Sequence, residues 1–468
     1  MTAPGEPVAL GTAAGRWLLA ACVLASGTAF LDATAVNVAL PSIGRELGSS
    51  LSGLQWTVTA YTLTLAALIL LGGSLGDRYG RRRVFLVGVT WFAAASLLCG
   101  LAQGTGELAA ARAVQGAGGA LLVPGSLALV QSSFRPADRA RAIGLWSALG
   151  GIAGLVGPFL GGALVDLASW RLVFWVNLPV AALVVVLGLR HLPAGHPVRG
   201  RGRFDVPGAL LGALALGGVT YALIRAGDSP AGPGVPAGAL VGVAAAAGFV
   251  VRERRARDPM LPLGLFTARA FTGANLATLA VYGALGGLQL FLVLELQTVL
   301  GYSAAQAGAA VLPAIALVTL LSSRAGALAT RIGPRLPMTV GPLLAACGAL
   351  VLSRVVAGQP YWAGVLPGLL LQGLGMATTV APLTATVLAA APDPLAGVAS
   401  GVNNAVARAA QLLAVAALPV AVGLSGRDYA DPAALAAGYR TAALACAGLF
   451  APGGLVSWLT IRSELGGS

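Results

Sequence analysis

The chain has 468 residues, 57% of them hydrophobic and only 10% charged, with a mean hydropathy of +0.85. A water-soluble domain carries about 25% charged residues, so soluble packing is excluded and lipid must be the solvent. The formal charge of +13 does not point to nucleic acid, because the basic residues sit in loops and not on one soluble face.

The apolar runs are about 18 to 25 residues long, enough to cross about 30 Å of hydrocarbon at 1.5 Å per helical residue. Strand-like alternation is missing, so an all-α polytopic membrane protein is expected. The first run, 17–38, follows Arg16, outlasts a signal-peptide core and contains Asp32, so it reads as a retained span. Further spans are expected at 54–75, 84–103, 107–131, 140–166 and 170–190. A basic stretch from His191 to Asp205 then precedes two shorter spans, 207–225 and 235–251, and a second basic stretch runs from Arg252 to Arg269. Six more follow, at 272–298, 304–325, 337–356, 361–388, 397–422 and 440–461.

Fourteen crossings put both termini on one side. All 29 basic residues are Arg; 20 fall on that side, three (Arg112, Arg324, Arg408) lie within spans, and Arg45, Arg171, Arg225, Arg354, Arg427 and Arg440 fall opposite. The positive-inside rule makes the Arg-rich side cytoplasmic. Arg without Lys, beside abundant Ala and Gly, suggests a GC-rich bacterial genome. Cys22, Cys99, Cys347 and Cys446 lie singly in different spans, without metal or disulfide spacing. His191 and His196 fall in the cytoplasmic linker, which excludes an intramembrane His relay.

An internal repeat sets the architecture. GSLGDRYGRRR after the second span and GALATRIGPRL after the tenth share Gly73/Gly326, Leu75/Leu328, Arg78/Arg331, Gly80/Gly333 and Arg82/Arg335. QGAG at Gln115–Gly118 and QGLG at Gln372–Gly375 echo each other at nearly the same offset. The expected plan is therefore 6+2+6: a six-helix half at 1–190, a linker with two inserted helices at 191–270 and a second six-helix half at 271–468. Such parallel halves suit alternating access around a central site.

Four motifs, LDATAVNVALP at Leu31–Pro41, GSLGDRYGRRR at Gly73–Arg83, RAVQGAGGA at Arg112–Ala120 and GLVGPFLGG at Gly154–Gly162, make the chain resemble the major facilitator superfamily. The resemblance is to its 14-helix drug:proton antiporter branch of the QacA/EmrB type and covers nearly the whole chain. It implies two pseudo-symmetric halves, and the last motif resembles the one associated with antiporters.

Physically, Asp77 with Arg78, Gly80 and Arg81 forms a candidate gate at the cytoplasmic mouth, where a carboxylate can cap a helix and pair with Arg. The alternative is a topology anchor, which explains the arginines but not Asp77, since Thr330 stands at its repeat position. Gly150, Gly154, Gly157 and Gly161 make one bare helical stripe, and Pro158 loosens the helix there. It serves either static packing or a sliding surface between the halves.

Ionisable residues inside spans are costly and tend to mark ion or proton routes. Asp32 and Arg112 each sit roughly 8 to 9 Å from the outer face by residue count, so they are expected to meet, with Asp32 carrying the proton and Arg112 tuning it. A static pair fixing register is the alternative. Glu295 stands in FLVLELQ where the family more often has an aromatic residue. It is open to three readings: a cationic substrate site, a second proton site or an interfacial carboxylate facing water. Asn37, Gln55, Trp56, Tyr61 and Gln115, with Arg408 in the thirteenth span, are candidates to line a cavity for amphipathic compounds. Trp and Tyr near span ends also serve as belt anchors. The AAQLLA that follows Arg408 replaces the family's usual Gly-Gly.

A phosphate-cradling loop requires Lys and the chain has none, so ATP drive is excluded and a gradient must supply the energy. Neither a metal nor another cofactor is expected, and no convergent set of catalytic side chains suggests an enzyme. The expected function is a monomeric proton-coupled antiporter of the bacterial cytoplasmic membrane that exports small amphipathic drugs or antibiotics. The alternatives are a metabolite importer or a transport-inactive receptor.

Overall fold

The structure, a computed structural model, describes residues 8–193, 205–256, 259–392 and 395–463, with the side chains of Leu70, Ser74, Asp77 and Ala140 outside that description. His196 and the arginines of the linker from Arg199 to Arg203 therefore fall outside it, as does Arg257. Among the described residues the chain is helical, apart from one isolated bridge between Val8 and Phe134.

The long helices are α1 (Ala13–Glu46), α2 (Leu51–Tyr79), α3 (Arg81–Leu101), α4 (Thr105–Ser133), α5 (Pro136–Leu167), α6 (Arg171–His191), α7 (Val206–Asp228), α8 (Gly234–Arg255), α9 (Arg269–Val299), α10 (Ala304–Ile332), α11 (Arg335–Leu352), α12 (Leu366–Ala389), α13 (Ala396–Ala421) and α14 (Pro432–Thr460). Thirteen of them are long and apolar enough to cross a membrane among the described residues, and the 29-residue α2 occupies the second expected span. Several run past the apolar segments: α1 continues beyond Val38 to Glu46, and α14 begins at Pro432, capped by the Asp431 side chain. Arg45 and Arg225, expected in outer loops, consequently lie in the last turns of α1 and α7, and Arg440 lies two turns inside α14.

Prolines punctuate the helices by withholding the N–H that would reach the carbonyl four residues back. α6 is interrupted at Val176, just before Pro179; α10 at Val311, before Pro313; and a short turn, Tyr361–Gly364, precedes α12 and Pro367.

Two compact units form. The first comprises Met1–Ser49 and Trp56–Ala213, the second Ser50–Gln55 and Leu214–Ser468. Within the first, α3 packs on α4, α1 on α5, and α6 on both α1 and α3; within the second, α11 packs on α12, α9 on α13, and α14 on both α9 and α11. These are the same four pairings under the correspondence of α1–α6 with α9–α14. In the second unit α7 meets α8 at Gly218 and Gly242, where a Cβ on Gly218 would come within 2.6 Å of the Gly242 nitrogen.

The sequence repeat is therefore a structural one. Gly80 and Gly333, which open α3 and precede α11, both take positive φ, 95° and 84°, with extended ψ, a region where an L side chain costs of order 1–3 kcal/mol. Their partners Arg82 and Arg335 each donate to a carbonyl near the C-terminus of the unit's sixth helix, Leu189 at 2.7 Å and Trp458 at 2.9 Å. In the glutamine motifs, Gly116 and Gly373 let α4 and α12 touch Tyr61 and Ala314 respectively, while Gly118 and Gly375 admit the backbones of α3 and α11.

Candidate functional site

The first unit encloses a polar cluster built from four helices and one backbone carbonyl. Asp32 on α1 is fully buried and Arg112 on α4 is 1% exposed. Arg112 Nη1 donates to Asp32 Oδ2 at 2.5 Å. The same nitrogen donates to Gln115 Oε1 at 2.6 Å, since residues three apart share a helix face. Arg112 Nε donates to the Thr57 carbonyl of α2 at 3.0 Å. The Tyr61 ring lies 4.3 Å from the guanidinium carbon and the Phe174 ring 5.7 Å, so the cation is stacked as well as paired.

The other carboxylate oxygen is also engaged. Asp32 Oδ1 accepts from Gln115 Nε2 at 2.9 Å and from Asn177 Nδ2 at 3.1 Å. Both amides donate in addition to Ser96 Oγ, at 2.8 and 3.2 Å, and the Cys99 thiol reaches Gln115 Oε1 at 3.6 Å. Asn177 opens the second segment of α6, immediately after the break at Val176, so the proline interruption places it in the cluster. Desolvating two charges costs several kcal/mol each, and such a pair is tolerable when its remaining hydrogen-bonding positions are filled. Here they are nearly all filled.

Asp32 and Arg112 meet although α1 extends well past the boundary that residue counting set, so their contact depends on helix packing and not on equal distance from helix ends. Gln115 and Tyr61, read as cavity lining, are instead committed to this cluster and buried. Gln55 is also buried; it belongs to the second unit, where Nε2 donates to the carbonyls of Val415 at 2.7 Å and Ala416 at 3.1 Å. Pro419 explains the first of these, because it cannot supply the helical donor for Val415. Asn37 and Trp56 are half-buried, as is Arg408 on α13, and none of the three is part of the cluster. Ser96, Asn177 and the Thr57 carbonyl are the participants that motif reading missed; the first two are polar residues within apolar runs, while a carbonyl leaves no sequence signal.

The glycine stripe of α5 faces α1 within the same unit. A Cβ on Gly157 would come 2.0 Å from Thr34 Oγ1, one on Gly161 2.6 Å from Ala35 Cβ, and one on Gly150 3.2 Å from Phe30, whereas Gly154 has open space. The stripe is thus a packing seam between α1, which carries Asp32, and α5. Pro158 leaves the Gly154 carbonyl without its helical donor, and Thr34 Oγ1 lies 3.4 Å from that oxygen.

At the candidate gate, the Asp77 side chain lies outside the described residues. Arg78 is exposed beside the Tyr79 ring at 5.6 Å, and Arg81 Nη1 donates to the Ala128 carbonyl of α4 at 3.2 Å. His191 ends α6 and stacks on Trp17 at 5.9 Å.

Glu295 does not face water. It is 1% exposed, and it starts a π-helical turn, Glu295–Val299, that closes α9. The interfacial reading is therefore corrected: Glu295 is buried, and the π turn it opens packs against α14. Its Oε2 has no hydrogen-bond partner among the described residues. No group of His, Cys, Asp and Glu among the described residues could hold a metal ion.

The chain matches the Major Facilitator Superfamily over residues 22–415. It is 40% identical over 379 residues to the multidrug resistance protein Stp of Mycobacterium tuberculosis, covering 80% of this chain and 70% of that protein. With the puromycin resistance protein of Streptomyces alboniger it shares 37% identity over 462 residues, covering 96% and 92%. Among solved structures, a bacterial homolog to the human lysosomal transporter Spinster superposes with a TM-score of 0.71 at 17% identity, covering 96% and 97%, a likeness of fold alone.

Proposed function

Because the chain belongs to the major facilitator superfamily, we propose that it is a proton-driven antiporter of the 14-helix QacA/EmrB-like branch, exporting small amphipathic drugs or antibiotics from a bacterium. It works as a monomer in the cytoplasmic membrane, with both termini cytoplasmic and no cofactor. The names of two relatives, a multidrug resistance protein and a puromycin resistance protein, support export of toxic compounds.

The observation that carries proton coupling is the buried Asp32–Arg112 pair, closed on every side by Tyr61, Gln115 and Asn177. A carboxylate held against a fixed cation favours its charged form, and separating the two favours the neutral acid. A helix rearrangement that parts Arg112 from Asp32 therefore loads a proton, and restoring the pair expels it. One proton crossing 100 mV supplies about 2.3 kcal/mol, enough to bias a two-state cycle by roughly fifty-fold.

The test is drug-dependent proton movement in proteoliposomes under an imposed pH gradient, comparing the parent with Asp32→Asn over lipophilic cations and neutral antibiotics. Proton release by the parent and silence in the variant support the assignment. Normal coupling in the variant moves the carrier elsewhere, and a parent that never couples overturns antiport.

A further inference from the structure

Glu295 poses a problem that the Asp32 cluster does not. Its carboxyl is 1% exposed and its Oε2 is unpartnered among the described residues. The ion pairs Asp32–Arg112 and Glu46–Arg171 lie elsewhere. A buried carboxylate without a counter-charge costs several kcal/mol, so something must neutralise it.

The surroundings narrow the choice. The π turn that begins at Glu295 packs against the body of α9, against α14 and against Ala304–Ala310 at the start of α10. Ala304–Ala310 has no titratable residue. Along α9 the titratable residues are Tyr282 and, at the opposite end, Arg269. α14 supplies Tyr439, 1% exposed and within electrostatic reach of Glu295, then Cys446, buried two turns further along; Arg440 is exposed. The Tyr439 hydroxyl is itself a buried polar atom with no partner among the described residues. Two neutral or neutralisable orphans thus share one region, and among the described residues the elements packed against the π turn carry no cation besides the exposed Arg440 and the distant Arg269. A substrate cation would need room that a side chain 1% exposed does not offer, whereas a proton needs none. π turns are also frequent at functional sites.

We propose that Glu295, with Tyr439 beside it, is a second proton-binding site, located in the second unit and separate from the Asp32 pair. The carboxyl binds one proton as a carboxylic acid, and the Tyr439 hydroxyl, both donor and acceptor, is the group that senses the change. This assignment does not depend on export, so its test uses no drug.

The experiment is infrared spectroscopy of the full chain in lipid nanodiscs, following the carboxylic-acid C=O stretch as pH is varied, for the parent, Glu295→Gln, Asp32→Asn and Tyr439→Phe. The expected result is a titrating acid band lost in Glu295→Gln, kept in Asp32→Asn and shifted in frequency in Tyr439→Phe. An acid-band spectrum that Glu295→Gln leaves unchanged at every pH overturns the site. Should Glu295→Gln fail to fold, Tyr439→Phe decides: a shifted, titrating band supports the site, and no change in any acid band overturns it.

Discussion

Gln115 and Gln372 stand at the same register of the internal repeat, yet only Gln115 has both ends of its amide engaged. Its Oε1 receives Arg112 and its Nε2 serves Asp32 and Ser96, while Gln372 Nε2, equally deep in the second unit, finds no acceptor among the described residues. The two units share a packing plan, but the buried Asp32–Arg112 ion pair stands in the first of them.

Substitution by Leu should separate the two glutamines. Gln115→Leu strips the Asp32 carboxylate of a donor and Arg112 of an acceptor inside the protein, with an expected loss of about 2–3 kcal/mol. Gln372→Leu removes an amide whose nitrogen is already unsatisfied and is expected to change stability by less than about 0.5 kcal/mol or to raise it. Thermal melts of the two purified variants would check this, and equal losses would contradict the asymmetry.

Arg112→Lys keeps the charge but not the geometry. Lys has no second nitrogen with which to hold the Thr57 carbonyl while it also pairs with Asp32, and no planar face for Tyr61. The variant is expected to retain fold, lose about 1–2 kcal/mol of stability and couple protons poorly, whereas Arg112→Ala leaves Asp32 buried and uncompensated at about 3–5 kcal/mol. Melting temperature and proton flux measured on the same preparations would show whether charge alone suffices.

The α1–α5 seam predicts a graded glycine scan. Gly154→Ala enters open space and should be close to neutral, whereas Gly157→Ala and Gly161→Ala drive a methyl into Thr34 and Ala35. Overpacking of this kind costs about 1–3 kcal/mol, and because α1 carries Asp32 the displaced helix should also weaken coupling. If Gly154→Ala is the most damaging of the three, the seam is not what constrains this stripe.

Much of this was legible in the chain itself. Span lengths followed from hydropathy, because bilayer thickness leaves little freedom, and the repeated Gly80 and Gly333 announced matching turns because positive φ tolerates few other residues. The Asp32–Arg112 contact was foreseeable from the scarcity of charge within spans. What the chain did not disclose was which neighbours would close around the pair: Ser96 and Asn177 look like isolated polar residues until α3 and α6 pack on α1 and α4. Likewise Glu295 near a helix end reads as interfacial, and only the π turn with α14 against it buries the carboxyl. Helix ends were misplaced for a related reason, since caps such as Asp431 and amphipathic extensions carry helices beyond the apolar run.

Gln55 offers a test of how prolines shape the second unit. Pro419 has no N–H, so the Val415 carbonyl loses its donor within α13, and Gln55 Nε2 supplies one at 2.7 Å. Gln55→Ala should then leave a buried carbonyl unsatisfied, at a cost of about 1–3 kcal/mol. Pro419→Ala restores an N–H in the helix and gives Val415 an internal partner, so the same Gln55→Ala change in that background should cost about 1 kcal/mol less. A double-mutant cycle on thermal unfolding measures the difference. Identical costs in both backgrounds would mean that Gln55 is held by Ala416 or by packing, and that the proline-freed carbonyl is not what fixes its place.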